Sequence, residues 1–177
     1  MHPRPLTLTL VGILALGCVD RNVAGPEFRP RSASAVTGPL LVINEVLPDP
    51  NAVPDDRGEW FEVHNAGTTS VNLQGWTISS GNDAAHTIST SLTVAAGGYA
   101  VLAENGVKSK NGGVTANYVY GTALNLANAS DWIAIRDASG TTVDSVSWSS
   151  APTGASRGVK DPTSDNTSVG GTNWQTS

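Results

Sequence analysis

The segment that most constrains the fold is residues 59–65 (EWFEVHN), in which side chains alternate with a period of two. Successive side chains of a β-strand point to opposite faces, so this period predicts a strand. Phe61 and Val63 share one face, which we expect to be buried. The opposite face carries Trp60, Glu62 and His64. The strand is expected to end at the Asn-Ala-Gly turn that follows.

Short segments of the same kind recur along the chain and are separated by Gly, Asn, Asp and Pro, and none shows a sustained helical period. Short strands with frequent turns indicate an all-β sandwich or barrel. The predicted strands are Leu41–Leu47, Glu59–Asn65, Val71–Leu73, Trp76–Ser80, His86–Ile88, Tyr99–Ala103, Tyr118–Tyr120, Trp132–Asp137 and Val143–Trp148.

One hairpin and a core can be predicted directly. The sequence DASG at 137–140 supplies an Asp that bonds ahead to the backbone and a Gly free to take positive φ. Residues 132–136 should therefore pair antiparallel with residues 143–147. The expected core contains Ile43, Phe61, Val63, Ile78, Leu102, Ile133, Ile135 and Val146.

Five separated motifs occur in a fixed order: INEV at 43–46, GEWFEVxN at 58–65, LxGWxI at 73–78, AGGYxVL at 96–102 and DWIAIRDxxGxxVDSV at 131–146. Together they resemble the lamin tail domain, from about Leu40 to Trp174. The resemblance implies an immunoglobulin-like β-sandwich used for binding, attachment or spacing, and it implies no catalytic residues. In bacteria such modules are often appended to secreted enzymes. The chain has no heptad repeat, so filament formation through a coiled-coil rod does not carry over.

The amino terminus has the pattern of an export signal. An apolar run from Leu6 to Leu16 is too short to span a bilayer but suits a signal-peptide core. It ends in Ala-Leu-Gly before Cys18, the single cysteine of the chain, which resembles a bacterial lipobox. We expect residues 1–17 to be a signal peptide, Cys18 to carry the lipid, and residues 18–38 to be a flexible, disordered linker. Simple secretion after signal peptidase cleavage is the alternative.

The remaining residues, 39–177, are expected to form one lamin-tail-like sandwich with an irregular carboxyl-terminal tail, whose Trp174 docks back on the sandwich. A single cysteine excludes an internal disulfide, so the domain depends on its apolar core. The net charge of −5 repels phosphate backbones, and the basic residues form no stripe. These features disfavour nucleic acid as a partner.

Alternation also suggests a surface aromatic patch. Ile133 and Ile135 point inward, so Trp132 and Arg136 point outward. If this strand neighbours residues 59–65, Trp60 and Trp132 would form a patch for a ligand, with Glu62 near Arg136. The plainer interpretation is that loops cover the rings and that the charges form a surface pair worth about 0–1 kcal/mol.

An acidic loop precedes the central strand. Asp49, Asp55, Asp56 and Glu59 lie close in sequence, with Arg57 as the nearby positive charge. Calcium takes six to eight oxygen ligands and would relieve the repulsion among these acids. The spacing is not that of an EF-hand, so a solvated loop is the alternative to a calcium site.

The sequence therefore supports three functions. The first is a non-catalytic module at the cell envelope, anchored to a membrane and binding an envelope protein or a glycan. The second is a carbohydrate-binding module that uses exposed Trp rings. The third is a secreted hydrolase, although no HExxH, Walker or Rossmann motif occurs and the carboxylates Glu45, Glu59, Glu62 and Asp144 lie at strand positions typical of the fold.

Overall fold

A computed structural model describes residues 40–81 and 83–177. The strands of this part are β1 Leu41–Leu47, β2 Trp60–Asn65, β3 Val71–Asn72, β4 Thr77–Ser80, β5 His86–Thr87, β6 Thr93–Val94, β7 Tyr99–Ala103, β8 Tyr118–Val119, β9 Asp131–Arg136, β10 Thr142–Trp148, β11 Arg157–Val159 and β12 Trp174–Thr176. A single helical turn, α1, covers Asp55–Gly58, and a 3-10 turn covers Gly121–Ala123. Each predicted strand is confirmed to within one residue at either end.

Within the described residues the strands form two main sheets. The first has the order β12-β11-β1-β2-β7-β8, and the second has the order β10-β9-β4-β5. Strands β3 and β6 form a separate two-stranded pair. Neighbouring strands are antiparallel apart from β7 and β8, which are parallel. This arrangement is an immunoglobulin-like β-sandwich, so the predicted fold class is confirmed.

The core lies between the two sheets, as the strand alternation predicts. Every predicted core residue is at most 1% exposed: Ile43, Phe61, Val63, Ile78, Leu102, Ile133, Ile135 and Val146. Phe61 also stacks on Tyr120, with ring centroids 6.2 Å apart and planes inclined by 27°. Burial of these side chains is the main stabilising term, because the described residues contain no disulfide and hydrophobic burial dominates folding.

The predicted hairpin joins β9 to β10. Gly140 takes φ +85°, a conformation that favours glycine, and its N–H donates to the carbonyl of Asp137. The Asp137 carboxylate accepts the N–H groups of Ser139 and Thr141 at 2.9 and 3.0 Å. Turn chemistry therefore fixes the register in which Ile133 faces Val146.

A buried polar clamp connects the two sheets. The Oδ2 atom of Asp144 on β10 accepts the N–H of Ile43 on β1 at 2.7 Å and the Nδ2–H of Asn166 at 2.8 Å. Asn166 also donates to the Ile43 carbonyl at 3.1 Å. Both β1 and β10 depart from regular pairing here, and this exposes the Ile43 backbone to the other sheet. Asp144 is thus a structural carboxylate.

The carboxyl-terminal tail is more ordered than its composition predicts. Strands β11 and β12 extend the first sheet beyond β1, which the sequence pattern missed. The docking of Trp174 is confirmed, since its side chain is 4% exposed and its Nε1–H donates to the Asn166 carbonyl at 2.9 Å. The tail therefore completes both the sheet and the core.

Candidate functional site

Two of the four carboxylates predicted to bind calcium have separate hydrogen-bond partners. Asp49 accepts a hydrogen bond from the Thr153 hydroxyl at 2.6 Å, which ties the acidic loop to the tail. Asp55, the first residue of α1, accepts one from Asn128 Nδ2 at 2.9 Å. These contacts use carboxylate oxygens that a metal ion would need.

The other two predicted calcium ligands, Asp56 and Glu59, lie in different surroundings. Asp56 is exposed, with its Oδ1 atom 3.9 Å from Arg57 Nε. Glu59 is 3% exposed and its Oε2 atom accepts the N–H of Leu126 at 2.7 Å. Among the described residues, no three His, Cys, Asp or Glu side chains come together in a way that could hold a metal ion. The predicted calcium site is therefore not assembled in this structure.

Glu59 instead lies beside a carboxyl group that sequence reasoning missed. Glu104 directly follows β7, and its N–H donates to the Glu59 carbonyl at 3.0 Å. Glu104 is 8% exposed, and its Oε2 atom is buried without a hydrogen-bond partner. We call Glu59 and Glu104 the carboxyl pair. The sequence does indicate the position of Glu104. Side chains alternate along β7, so Glu104 lies on the same buried face as Ala100 and Leu102.

Burial raises the pKa of both members of the carboxyl pair. For Glu59 the pKa rises to about 8, because burial together with the charges of Glu104, Asp55 and Asp131 outweighs the opposing hydrogen bond from Leu126. For Glu104 it rises to about 7, through burial and then the nearby Asp56 and Asp55. A buried carboxyl group without a cation favours its neutral form. Both carboxyl groups therefore lose their protons at a higher pH than exposed glutamates do.

The two tryptophans of the predicted aromatic patch lie in different sheets. Trp60 belongs to β2 in the first sheet, where it pairs with Ala103, and Trp132 belongs to β9 in the second. Each points away from the core on its own side of the sandwich. The prediction required β2 and β9 to be neighbouring strands. They belong to different sheets, so the two rings do not form one patch.

The predicted Glu62–Arg136 pair is separated in the same way. Glu62 accepts a hydrogen bond from Asn44 Nδ2 at 2.9 Å, and burial raises its pKa, opposed by Asn44 and assisted by the charge of Glu45. Arg136 donates from its guanidinium to the Ser79 hydroxyl at 2.8 Å. Each charged group is thus satisfied within its own sheet.

An open depression of about 340 Å³ lies at one end of the β9–β10 hairpin. It is lined by Gly81, Ser130, Asp131, Trp132 and Trp148. Trp132 is 37% exposed, whereas Trp148 is 5% exposed and its Nε1–H donates to the Ala127 carbonyl at 2.8 Å. We call this depression the Trp132 groove. Trp132 thus lines a groove together with a second tryptophan, which is Trp148 and not Trp60.

The two histidines of the described residues have structural contacts. The ring of His64 stacks on Tyr99, with centroids 4.3 Å apart. The Nε2 atom of His86 lies 2.8 Å from the Tyr118 hydroxyl, which connects strand β5 of the second sheet to β8 of the first. Neither ring is hydrogen-bonded to a serine hydroxyl in the described part of the chain.

The sequence GASRG at 154–158 matches the GxSxG elbow of serine hydrolases. In that elbow the serine sits on a sharp turn between a strand and a helix. Here Ser156 directly precedes strand β11, is 8% exposed, and donates its hydroxyl to Glu45 Oε1. The match therefore lacks the backbone context that a nucleophile elbow requires.

The predicted lipidation site, Cys18, lies outside the described residues. In the part of the chain that the structure describes, no helix is long and apolar enough to cross a membrane.

The sheet order and the core define the class of the protein as an immunoglobulin-like β-sandwich. The family model of the lamin tail domain matches residues 34–150, so the chain belongs to the lamin tail domain family, which is a family of non-catalytic immunoglobulin-like modules. No curated protein matches the chain. Strands β11 and β12 lie beyond the matched segment and are part of this chain's own sandwich.

Proposed function

We propose that this protein is a non-catalytic module that binds, attaches or spaces a partner at the bacterial cell envelope, to which a lipid on Cys18 anchors it. The observation that carries the proposal is a lamin tail domain match over residues 34–150, preceded by an apolar run from Leu6 to Leu16 and the chain's single cysteine, a pattern that resembles an export signal. The module supplies a stable sandwich, and the amino-terminal segment supplies the attachment.

The chemistry of the described residues supports a binding role. The conspicuous carboxylates have structural partners: Asp144 clamps the sheets, Glu45 accepts from Ser156, and Glu59 accepts from Leu126. A glycosidase needs two carboxyl groups that face one sugar-sized cleft. The Trp132 groove includes one carboxylate, that of Asp131, which already accepts hydrogen bonds from Ser80 and Ala127.

Fatty-acid labelling tests the anchor. In a bacterial host given a clickable palmitate analogue, the wild-type chain should carry the label and partition with membranes. Cys18→Ala should lose the label completely, because a thiol is the group that receives the diacylglycerol.

A matched control separates the position of the thiol from its mere presence. Cys18→Ala combined with Ser32→Cys restores one thiol within the expected linker, and it should remain unlabelled. A wild-type protein that is soluble and unlabelled would leave simple secretion in place of the anchor.

A second function, glycan binding, is favoured by one specific observation. The partly exposed ring of Trp132 lies in an open groove beside Trp148 and the exposed residue Ser130. An indole face packs against the apolar face of a sugar ring, and a hydroxyl can bond to sugar hydroxyls. In this arrangement a sugar would stack on one tryptophan ring, that of Trp132, in place of the predicted pair of Trp60 and Trp132.

A glycan array followed by titration calorimetry tests this second function. If a glycan binds, Trp132→Ala should weaken binding at least about tenfold, equivalent to about 1.4 kcal/mol. Trp60→Ala is the matched control, because Trp60 lies on the other sheet, and its affinity should be unchanged. Equal losses in both variants, or none in Trp132→Ala, would remove the groove as the binding site.

A further inference from the structure

The outer face of the first sheet carries two glutamates directly opposite each other. Alternation along β2 places Phe61 and Val63 in the core and Glu62 on the outer face. Glu45 on β1 is the cross-strand partner of Glu62. Like charges at directly opposed positions of neighbouring strands destabilise a sheet. The fold therefore tolerates a repulsion at this place, which a neutral side chain at either position would avoid.

A bulge in β1 shapes this part of the face. The pairing of β1 with β2 shifts between Ile43 and Glu45, which leaves Asn44 as the extra residue. Asn44 Nδ2 donates to Glu62 Oε1 at 2.9 Å. The hydroxyl of Ser156 donates to Glu45 Oε1. These hydrogen bonds come from neutral groups, so they orient the two carboxylates without cancelling their charge.

The described residues supply no cation to these glutamates. Neither Glu45 nor Glu62 forms an ion pair with a lysine or arginine in this part of the chain. Lys160, which directly follows β11, donates its ammonium group to the Thr172 carbonyl at 2.9 Å. The outer face of the first sheet thus presents two oriented negative charges to the surroundings.

An exposed aromatic ring borders the two glutamates. Tyr99 on β7 is 55% exposed, and its ring stacks on His64 with centroids 4.3 Å apart and planes inclined by 23°. One face of the Tyr99 ring is thus covered, and the other is open. Glu62 pairs with Val101, so Tyr99 is the diagonal neighbour of Glu62 on the same face, about 7–8 Å away. A guanidinium group suits both features, because it pairs with carboxylates and stacks on aromatic rings.

The layout of this surface favours a peptide over a small cation. Small molecules bind in concave pockets, whereas the two glutamates and Tyr99 are spread over β1, β2 and β7 of one sheet. Neighbouring strands are about 4.8 Å apart, so these three strands span about 10 Å. Arginines at alternate positions of an extended peptide are about 7 Å apart, and their long side chains cover the remaining distance.

We propose that the outer face of the first sheet binds an arginine-containing segment of a partner protein. One guanidinium group pairs with Glu45 and Glu62, and a second stacks on the open face of the Tyr99 ring. The inference rests on the binding function proposed above, and it is independent of the Cys18 anchor and of the Trp132 groove.

Titration calorimetry with the full chain and the probe peptide acetyl-GRGRGRG-amide tests the acidic part of the site. Glu45→Gln combined with Glu62→Gln should weaken binding at least about tenfold, equivalent to about 1.4 kcal/mol. Both charges are lost, while the amide oxygens can still accept the hydrogen bonds from Ser156 and Asn44. Because the attraction is electrostatic, wild-type binding should also weaken as salt is raised.

A matched control separates the site from the net charge of the protein. Asp83→Asn combined with Asp137→Asn removes two carboxylates from the β4–β5 and β9–β10 connections of the second sheet. This variant should bind the probe within about twofold of wild type. Equal losses in the two double variants would show attraction to overall charge alone and would overturn the site.

The aromatic part of the site has its own test. Tyr99→Leu should weaken binding of the arginine probe at least about threefold, whereas Tyr99→Phe should not, since a phenyl ring keeps the stacking face. Equal affinities of the two Tyr99 variants would contradict the stacking. So would wild-type binding of acetyl-GKGKGKG-amide that is as tight as binding of the arginine probe.

Thermal melts distinguish a binding role of Glu62 from a structural one. Glu62→Gln removes one of two opposed charges, so its Tm should equal or exceed that of wild type while probe binding weakens. A lower Tm together with weaker binding would assign Glu62 to the fold and overturn the proposal. If wild type does not bind the probe, this inference fails, and the envelope role is judged separately by the labelling experiment above.

Discussion

Phe61→Ala is expected to lower the free energy of unfolding by about 3–5 kcal/mol, which is a large part of the stability of an ordinary domain. Phe61 is fully buried between the sheets and stacks on Tyr120. Its loss removes buried apolar area and leaves a cavity that the surrounding strands cannot close. Urea denaturation followed by tryptophan fluorescence measures the change.

Val119→Ala is the control for this experiment. Val119 lies on β8 at the edge of the same sheet and is 48% exposed, so its truncation should change stability by no more than about 0.5 kcal/mol. An unchanged denaturation midpoint in Phe61→Ala would contradict the inward face assigned to β2.

Removal of the tail after Ser150 is expected to prevent stable folding. The tail supplies β11, which pairs with Glu45 and Val46 of β1, and it supplies the buried Asn166 and Trp174. Without it, one edge of β1 is unpaired, and Asp144 and Ile43 lose their bonds to Asn166. Dispersion of amide signals in NMR spectra distinguishes a folded chain from a collapsed one.

A point variant tests the tail without deleting strands. Trp174→Ala should cost about 3–5 kcal/mol, because a large buried ring is lost together with its hydrogen bond to Asn166. Gln175→Ala, at the next and exposed position of β12, should stay within about 0.5 kcal/mol of wild type. Equal stability of the two variants, or a folded chain ending at Ser150, would show that the matched segment 34–150 is sufficient by itself.

The candidate sites show where sequence reasoning stops. Asp55, Asp56 and Glu59 are neighbours in sequence, but Glu59 turns into the core while the aspartates remain on the short turn α1. The partner of Glu59 is Glu104, which is 45 positions away in the numbering and reaches it through the pairing of β2 with β7. Proximity along the chain therefore did not show which carboxyl groups pack side by side.

The sequence by itself determined nine of the twelve described strands, their inward faces and the β9–β10 turn, because alternation and turn chemistry depend on residues that are close along the chain. The tertiary structure alone decided which sheet each strand joins. That choice placed Trp60 and Trp132 on different sheets, brought Glu59 to Glu104, and added β11 and β12 to β1. Such contacts depend on long-range pairing and on burial of the whole core, and a local pattern encodes neither.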